Sequence, residues 1–166
     1  MRAMTRTAAL ALALAAGAAA GAQADTLAVM PVKLLDTSNE ARDQTADHAR
    51  RLAMVTEALA TDMHGPYADT VLLAPEVLAA ACPRETARCL IDAARSTGAD
   101  KALFIVVHKS STLIMQVFAH VIDLDTDAVV VARDLNFRGD TDESWMKMEG
   151  FLARTLASAT RGADTP

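Results

Sequence analysis

Apolar residues fall into blocks whose spacing predicts the order of strands and helices. The run Thr26 to Asp36 is apolar on both faces, as in a strand covered on both sides, and Pro31 within it indicates a bulge or an edge position. Thr37 followed three residues later by Glu40 is a capping-box pattern, which predicts a long helix ending at Gly65-Pro66. The predicted buried stripe of this helix is Ala46, Ala49, Leu52, Ala53, Val55, Leu59 and Met63. The predicted solvated residues are Arg42, Asp43, Asp47, Arg50, Arg51 and Glu57.

The middle of the chain predicts a second strand and a second helix. Residues 70–74 form a short strand candidate, and residues 77–81 a brief helical or irregular stretch. A helix over residues 84–97 is predicted because its apolar residues share one face and Gly98 supplies a left-handed stop. The order strand, helix, strand, helix indicates a parallel arrangement.

Three β-branched runs follow, at residues 101–108, 113–124 and 128–137. The connections between them are too short to hold helices, so they predict antiparallel hairpins with turns at 109–111 and 125–127. In the middle run, alternate residues from Leu113 to Val121 are all apolar, whereas the other face is mixed, so only the first face is predicted as core. A last helix is predicted from Thr141 to about Ser158, and it is expected to cover a face of the sheet with Trp145, Met148, Leu152 and Leu156.

The predicted fold class is therefore α/β, with a single mixed sheet in the order β-α-β-α-β-β-β-α. Its first part is parallel, its end is an antiparallel meander, and its helices pack on the sheet. Residues 25–160 are expected to form one domain and residues 161–166 a disordered tail.

Residues 1–24 are typical of a cleaved signal peptide. Arg2 and Arg6 precede a run of Ala, Leu and Gly that ends in the small-x-small signal Ala22-Gln23-Ala24. The run is shorter and weaker than the ~20 residues of a membrane span, and no cysteine at the cleavage site could carry a lipid. We therefore expect export to the periplasm without a membrane anchor.

Removal of this leader leaves an acidic chain. The 16 basic residues become 14 against 21 acidic ones, so the formal charge moves from −5 to −7. Such a chain repels phosphate backbones and anionic lipids, which argues against nucleic acid as a partner.

The two cysteines, Cys82 and Cys89, are expected to form a disulfide in an oxidising compartment. On one continuous helix they would lie ~10 Å apart, beyond disulfide reach. Pro83 at the first position of a helix would allow Cys82 to fold back over the second turn. A redox or metal role is the alternative, although the spacing is not CxxC.

Acidic residues cluster where the last strand meets the last helix. Asp140 followed three residues later by Glu143 fits a helix-capping pattern, and Asp142 adds a charge to the first turn. Arg138 is close enough in sequence to screen these acids, and Gly139 permits unusual backbone angles. The cluster is therefore interpreted as a helix start rather than a catalytic site.

Other candidate chemistry is sparse. Asp123, Asp125 and Asp127 alternate as in a calcium loop, but Ala128 occupies the position where such a loop needs glycine, so a polar hairpin tip is the preferred interpretation. His108 beside Ser110 lacks the Gly-x-Ser-x-Gly context of a nucleophile. No phosphate loop, dinucleotide fingerprint or zinc signature is present, so neither an enzyme nor a cofactor is predicted.

The stretch from Gly98 to Trp145 resembles a family of exported proteobacterial proteins described only as a domain of unknown function. The shared features are a Gly-Ala-Asp lead-in to a strand, a His-Lys-Ser-Ser turn and an Arg-Gly-Asp-Thr-Asp-Glu-x-Trp ending. The opening TLAVMPVKLLDTSNEA is similar to the first strand and loop of the TolB amino-terminal domain. The resemblance implies a periplasmic α/β domain, and the better-known relatives act by binding other envelope proteins. It also associates the family loosely with periplasmic alcohol-oxidation gene sets.

The sequence thus predicts a non-enzymatic periplasmic accessory module that binds a protein partner. Small-ligand or metal binding on the mixed sheet face or the 123–127 hairpin is the alternative. The candidate interaction residues are His108, Lys109, Ser110, Ser111, Phe118, His120, Arg138, Asp140, Asp142 and Trp145.

Overall fold

A computed structural model describes residues 25–163, which form a six-stranded mixed sheet with four helices packed on it. The strands are β1 (Thr26–Val29), β2 (Lys33–Asp36), β3 (Asp69–Leu72), β4 (Lys101–Ser111), β5 (Ile114–Asp123) and β6 (Val129–Phe137). The helices are α1 (Thr45–Asp62), α2 (Pro75–Ala81), α3 (Ala87–Arg95) and α4 (Asp142–Ala163). The predicted signal peptide, residues 1–24, and residues 164–166 of the predicted tail lie outside the described residues.

The strand order confirms the predicted fold class. Along the sheet the order is β3-β1-β4-β5-β6, with β2 also paired to β4. The strand β1 runs parallel to both β3 and β4, whereas β4, β5 and β6 form an antiparallel meander. A parallel first part and an antiparallel end follow from connection length, because α1 and the α2–α3 pair provide the long crossovers that parallel strands require.

The first predicted strand is divided in two around Pro31. Both β1 and β2 run parallel to β4, and Val29 pairs with Leu103 while Lys33 pairs with Val106. The chain therefore advances four residues against three on β4, which is the bulge that Pro31 predicted. Beyond the bulge, β4 is the only described strand that pairs with β2.

The first helix begins later than its sequence pattern predicted. The capping box from Thr37 to Glu40 does not form, because α1 starts at Thr45. Glu40 instead accepts hydrogen bonds from the backbone N–H of Thr112 and from Lys109, both distant in sequence. Local capping chemistry was therefore overridden by contacts with the end of β4.

Cys82 and Cys89 form the predicted disulfide, with their Cα atoms 5.7 Å apart. Cys82 ends α2 and is buried, while Cys89 lies in the first turn of α3. The prediction that Pro83 starts this helix was wrong, because α3 begins at Ala87 and its N-cap, Thr86, accepts a hydrogen bond from the Cys89 N–H. The bridge closes the short turn between the two helices.

Helices cover the two sheet faces unequally. The face against α1 and α4 carries the main core, in which the odd-numbered residues of β5 from Met115 to Val121 are buried, as predicted. The prediction was wrong for Leu113, which is 69% exposed because it lies in the turn before β5. The predicted core residues of α4 are also buried, namely Trp145, Met148, Leu152 and Leu156. The helices α2 and α3 cover the other face only near β1 and the start of β4, around Ala28 and Ala102. The remainder of that second face is left uncovered by helices. No helix within residues 25–163 is both long and apolar enough to cross a membrane.

Candidate interaction site

Asp140 lies at the centre of a buried ionic cluster. Its Oδ1 accepts hydrogen bonds from Arg51 Nη1 at 2.7 Å and from Trp145 Nε1 at 2.9 Å. Its Oδ2 lies 2.8 Å from His48 Nε2 and 2.8 Å from Lys109 Nζ. The Asp140 side chain is 1% exposed, and the four donors occupy the acceptor sites of its carboxylate.

This geometry corrects the prediction that Asp140 caps a helix. The cap of α4 is Thr141, whose Oγ1 accepts a hydrogen bond from the Ser144 N–H at 3.3 Å. The prediction that Asp142 and Glu143 stand in the first turn was correct. Asp142 also binds across to α1, where it accepts hydrogen bonds from arginines 50 and 51, the second at 2.8 Å.

The cluster holds its charges firmly in the ionised state. Burial opposes ionisation of Asp140, but hydrogen bonds from Lys109, His48 and Trp145 outweigh burial and lower its pKa to about 2. Desolvation likewise opposes the Lys109 cation, but Asp140 and Glu40 overcome it and raise its pKa. The site is therefore a saturated ion cluster, with no carboxylate poised near neutral pH for proton transfer.

Lys109 reaches the cluster because β4 continues beyond its predicted end. The odd-numbered residues Leu103, Ile105 and Val107 point into the core, and Lys109 continues that alternation with 0% exposure. The prediction that Lys109 lies in the turn was wrong, because β4 runs to Ser111 and the turn falls at residues 112–113. The Lys109 ammonium also donates to Glu40 and to the amide oxygen of Gln44, in the loop before α1.

A polar depression of about 590 Å³ lies over the cluster, with His48 and Lys109 among its lining residues. Both ring nitrogens of His48 face carboxylates, since Nε2 is 2.8 Å from Asp140 and Nδ1 is 4.0 Å from Asp36. Only Nε2 is within hydrogen-bond distance of its carboxylate, so Asp140 fixes the orientation of the ring. The arrangement is typical of a structural clamp between α1, β4 and α4.

The histidines at 108 and 120 do not converge. His120 pairs with Phe104, so it lies four residues along β4 from His108, or roughly 13 Å at the usual strand rise. The ring of His108 instead contacts the Thr37 hydroxyl at 2.8 Å. The catalytic grouping of His108, His120 and a carboxylate that an enzyme would need is therefore not formed by these residues.

The uncovered part of the sheet exposes several large apolar side chains beside the predicted interaction residues. We call it the open face, and its cross-strand neighbours are Leu35, Val106, His108, Ile114, Gln116, Phe118, His120 and Asp134. Four large side chains are exposed there: Leu35 by 53%, Val106 by 38%, Ile114 by 57% and Phe118 by 36%. Exposed apolar side chains grouped on one face of a sheet can mark a binding surface.

The predicted interaction residues divide between surface and interior. His108, Phe118 and His120 lie on the open face, and Ser110 and Ser111 end β4 beside it, with Ser110 exposed. Arg138 is exposed beyond β6, and Asp142 is half-exposed in its ion pairs. Lys109, Asp140 and Trp145 are buried and cannot face a partner, which corrects their assignment.

Sequence reasoning missed His48 and Arg51 as parts of the cluster. The alanines at 46, 49 and 53, predicted as a buried stripe, are exposed. The buried stripe of α1 is instead His48, Arg51, Val55 and Leu59, with spacings of three, four and four residues. A search for helical spacing that counted polar residues as well as apolar ones would have identified this buried stripe.

The 123–127 hairpin is occupied by protein contacts. Asp123 accepts hydrogen bonds from the N–H and hydroxyl of Thr126, and Asp127 pairs with Arg88 and Arg95 of α3. Among residues 25–163 no group of three or more His, Cys, Asp or Glu side chains is arranged to hold a metal ion.

Comparison with known proteins places the chain in a family. The chain belongs to the family described as Protein of unknown function (DUF2380), whose model DUF3280 matches residues 25–156. The predicted resemblance to a domain-of-unknown-function family is therefore confirmed. No protein of curated function matches the sequence significantly.

Solved structures share the fold at low sequence identity. The PelC dodecamer from Paraburkholderia phytofirmans is 16% identical, with a TM-score of 0.53 over 83% of this chain and 89% of PelC. The hypothetical protein CT253 from Chlamydia trachomatis is 9% identical, with a TM-score of 0.52 over 82% of this chain and 98% of that protein. TolB from Acinetobacter baumannii is 12% identical, with a TM-score of 0.51 over 84% of this chain but 29% of TolB. The TolB likeness predicted from the opening strand thus holds at the level of the fold.

Proposed function

We propose that this protein is a non-enzymatic periplasmic accessory module that binds a protein partner through the open face. The observation that carries the proposal is the incomplete cover of the sheet, which leaves Leu35, Val106, Ile114 and Phe118 in solvent. Burying such side chains in an interface would stabilise a complex by ~25 cal/mol per Å² of apolar area. The signal-peptide pattern and the TolB-like fold support a periplasmic setting for this contact.

The composition of the open face suits a protein partner. Its apolar centre, Val106 and Phe118, is flanked by the imidazoles of His108 and His120 and by polar side chains. An apolar centre with a polar rim is the usual anatomy of a protein interface. A link to a periplasmic oxidation system, which the family resemblance suggests, would make such a system's subunits the first partners to examine.

Site-specific photocrosslinking tests the proposal. A benzophenone amino acid at Phe118 should form an adduct with one partner in intact cells, and mass spectrometry identifies that partner. The same probe at Val77 is the matched control, because Val77 is 52% exposed but lies on α2. A Phe118→Asp variant should abolish copurification of this partner while keeping the wild-type melting temperature. Equal adducts from both positions, or none from Phe118, would remove the open face as the binding surface.

A second candidate is self-assembly through the same face. It is favoured by the PelC structure, which is a dodecamer with a similar fold. Sedimentation equilibrium of residues 25–166 distinguishes the two candidates. A wild-type oligomer that Phe118→Asp converts to monomer supports self-assembly, whereas a monomer at all concentrations rejects it.

A further inference from the structure

A second surface, separate from the open face, lies where β6 meets α4. β6 ends the sheet and pairs with β5 alone, so its outer edge has no strand partner within residues 25–163. Beside this edge is a groove of about 320 Å³. Its lining residues are Leu135, Asn136, Phe137, Arg138, Ser144, Lys147, Met148 and Phe151. We call it the β6 groove.

The β6 groove has an apolar floor. Leu135 and Phe137 are partly buried on the helix side of the sheet, and Met148 is buried between β6 and α4. Phe151, on the next turn of α4, is 52% exposed at the groove wall. A free strand edge beside apolar pockets spaced two residues apart is the surface to which extended peptides add as a further strand.

The charged residues that line the groove, Arg138 and Lys147, are both basic, although the whole chain is acidic with 21 acidic against 16 basic residues. Lys147 pairs with Glu143 at 2.6 Å, so Arg138 is the lining cation that remains available to a ligand. Arg138 is exposed at one end of the groove and makes no ion pair with any described residue. Arg133 lies two residues before Leu135 and therefore on the same face of β6. Arg154 lies three residues after Phe151 on the same side of α4.

None of these arginines is held in an ion pair with a described residue, although Arg154 interacts electrostatically with the buried carboxylate of Glu149. Arg133 donates to the carbonyl of Ala132, and neither Arg133 nor Arg154 forms an ion pair within residues 25–163. No carboxylate is among the lining residues of the groove. The surface is therefore complementary to a ligand that combines apolar and acidic side chains.

We propose that an extended acidic peptide segment of a partner protein adds to the outer edge of β6. Its apolar side chains fill the β6 groove, and its carboxylates pair with Arg133, Arg138 and Arg154. Since side chains alternate along a strand, the segment must present apolar residues at alternate positions with acidic residues outside them. This assignment does not use the open face, so the two surfaces can be tested separately.

A designed heptapeptide supplies the probe. It carries glutamate at positions 1 and 7, valine and leucine at positions 3 and 5, and threonine at the other three. This pattern of acidic and apolar positions is the same in either direction, so it fits parallel or antiparallel addition. The control peptide has lysine in place of both glutamates, and a second control has proline at positions 4 and 5, so that at least one N–H directed at β6 is lost. Fluorescence anisotropy with the labelled peptides measures binding to residues 25–166.

Charge reversal in the groove should weaken binding selectively. The double variant Arg138→Glu with Arg154→Glu is expected to raise the Kd about tenfold or more, since tenfold corresponds to about 1.4 kcal/mol. The matched control is Arg42→Glu, because the Arg42 side chain is 76% exposed on the loop before α1. It should change the Kd less than twofold, and so should Phe118→Asp on the open face. The lysine and proline peptides should bind about tenfold more weakly than the acidic peptide.

Amide hydrogen exchange locates the peptide. The acidic peptide should slow exchange of β6 amides and leave β2 and β3, the other strands with a single described partner, unchanged. The proposal is overturned if the acidic peptide does not bind at millimolar concentration, if Arg42→Glu weakens binding as much as the groove variants, or if β6 exchange is unaffected. If, without peptide, the exchange of β6 amides slows as the protein concentration rises, the ligand at this edge is a second copy of the chain and not a peptide of another protein. None of these results would alter the photocrosslinking outcome at Phe118.

Discussion

Replacing Asp140 by asparagine removes the carboxylate on which four donors converge while keeping the size of the side chain. The Lys109 ammonium, which is 0% exposed, would then lose its buried counter-ion. Arg51, whose side chain is 10% exposed, would lose its ion pair with Asp140 and keep its ion pair with Asp142. The variant therefore leaves the two buried cations with only their more exposed partners, Glu40 and Asp36 for Lys109 and Asp142 for Arg51, and loss of a buried counter-ion is strongly destabilising.

The magnitude follows from two independent considerations. The pKa of Asp140 falls from an ordinary 3.8 to about 2, and this shift corresponds to about 2 kcal/mol of stability. Breaking a buried ion pair by removing one partner typically costs ~3–5 kcal/mol. We expect Asp140→Asn to lower the free energy of unfolding by at least about 2 kcal/mol at pH 7.

The dependence of stability on pH in acid provides a second test of the Asp140 carboxylate. Because the folded-state pKa of Asp140 is lowered, its contribution is fully present above the unfolded value of 3.8 and is lost as pH falls towards about 2. The wild type should lose stability across that window. Asp140→Asn should lose about 2 kcal/mol less there, since it lacks the titrating group.

Urea denaturation of residues 25–166 with the disulfide intact measures both effects. Trp145, the single tryptophan of the chain, is buried against Asp140 and reports unfolding by fluorescence. The matched control is Asp142→Asn, whose side chain is 47% exposed and whose ion pairs are screened by solvent, so its cost should be clearly smaller than that of Asp140→Asn. A cost below about 1 kcal/mol for Asp140→Asn, or an unchanged acid limb, would refute the central role assigned to this carboxylate.

Four further changes test other parts of the fold. Burial and the repulsion of a nearby carboxylate raise the pKa of Glu149 from 4.5 to about 7, so its folded state is most stable below pH 4.5 and loses stability as pH rises to about 7. Glu149→Gln should thus be about 3 kcal/mol more favourable at pH 8 than at pH 4, as measured by urea midpoints; equal effects at both pH values would contradict this. Replacing Cys82 and Cys89 by serine should cost ~2 kcal/mol, and dithiothreitol should have no further effect on that variant. Gly139→Ala should lower the melting temperature, because φ is +89° and the new Cβ would lie 2.9 Å from a serine oxygen. Gly150→Ala, in the interior of α4, should raise stability by ~0.5–1 kcal/mol, and a loss would show that its new Cβ is not accommodated.

The sequence predicted the sheet because strand patterns are local. Alternation in β5 and the short connections around it were enough to predict an antiparallel meander, and the long crossovers were enough to predict parallel strands before it. The bulge at Pro31 could also be predicted, because proline has no backbone N–H to donate to a neighbouring strand. These features depend on neighbours within a few positions.

The ionic cluster could not be predicted in the same way, because its partners are far apart in sequence. His48 and Asp140 are separated by 92 residues, and Arg51 and Asp140 by 89. Locally, Asp140 looked like a helix cap and Arg51 like a solvated charge, and both interpretations followed from ordinary propensity. Both interpretations were wrong because contacts between residues distant in sequence decide these positions. A buried carboxylate with four donors is more stable than an exposed cap.

The cluster and the open face are connected through the loop between β2 and α1. Lys109 holds this loop through Glu40, and Glu40 in turn accepts a hydrogen bond from the Thr112 N–H at 2.7 Å, at the turn after β4. On the other side of the strand, His108 is held by Thr37 of the same loop. A surface fixed in this way loses less conformational entropy when a partner binds. Asp140→Asn should therefore weaken partner capture at the open face even where the protein remains folded, although Asp140 itself never reaches that surface.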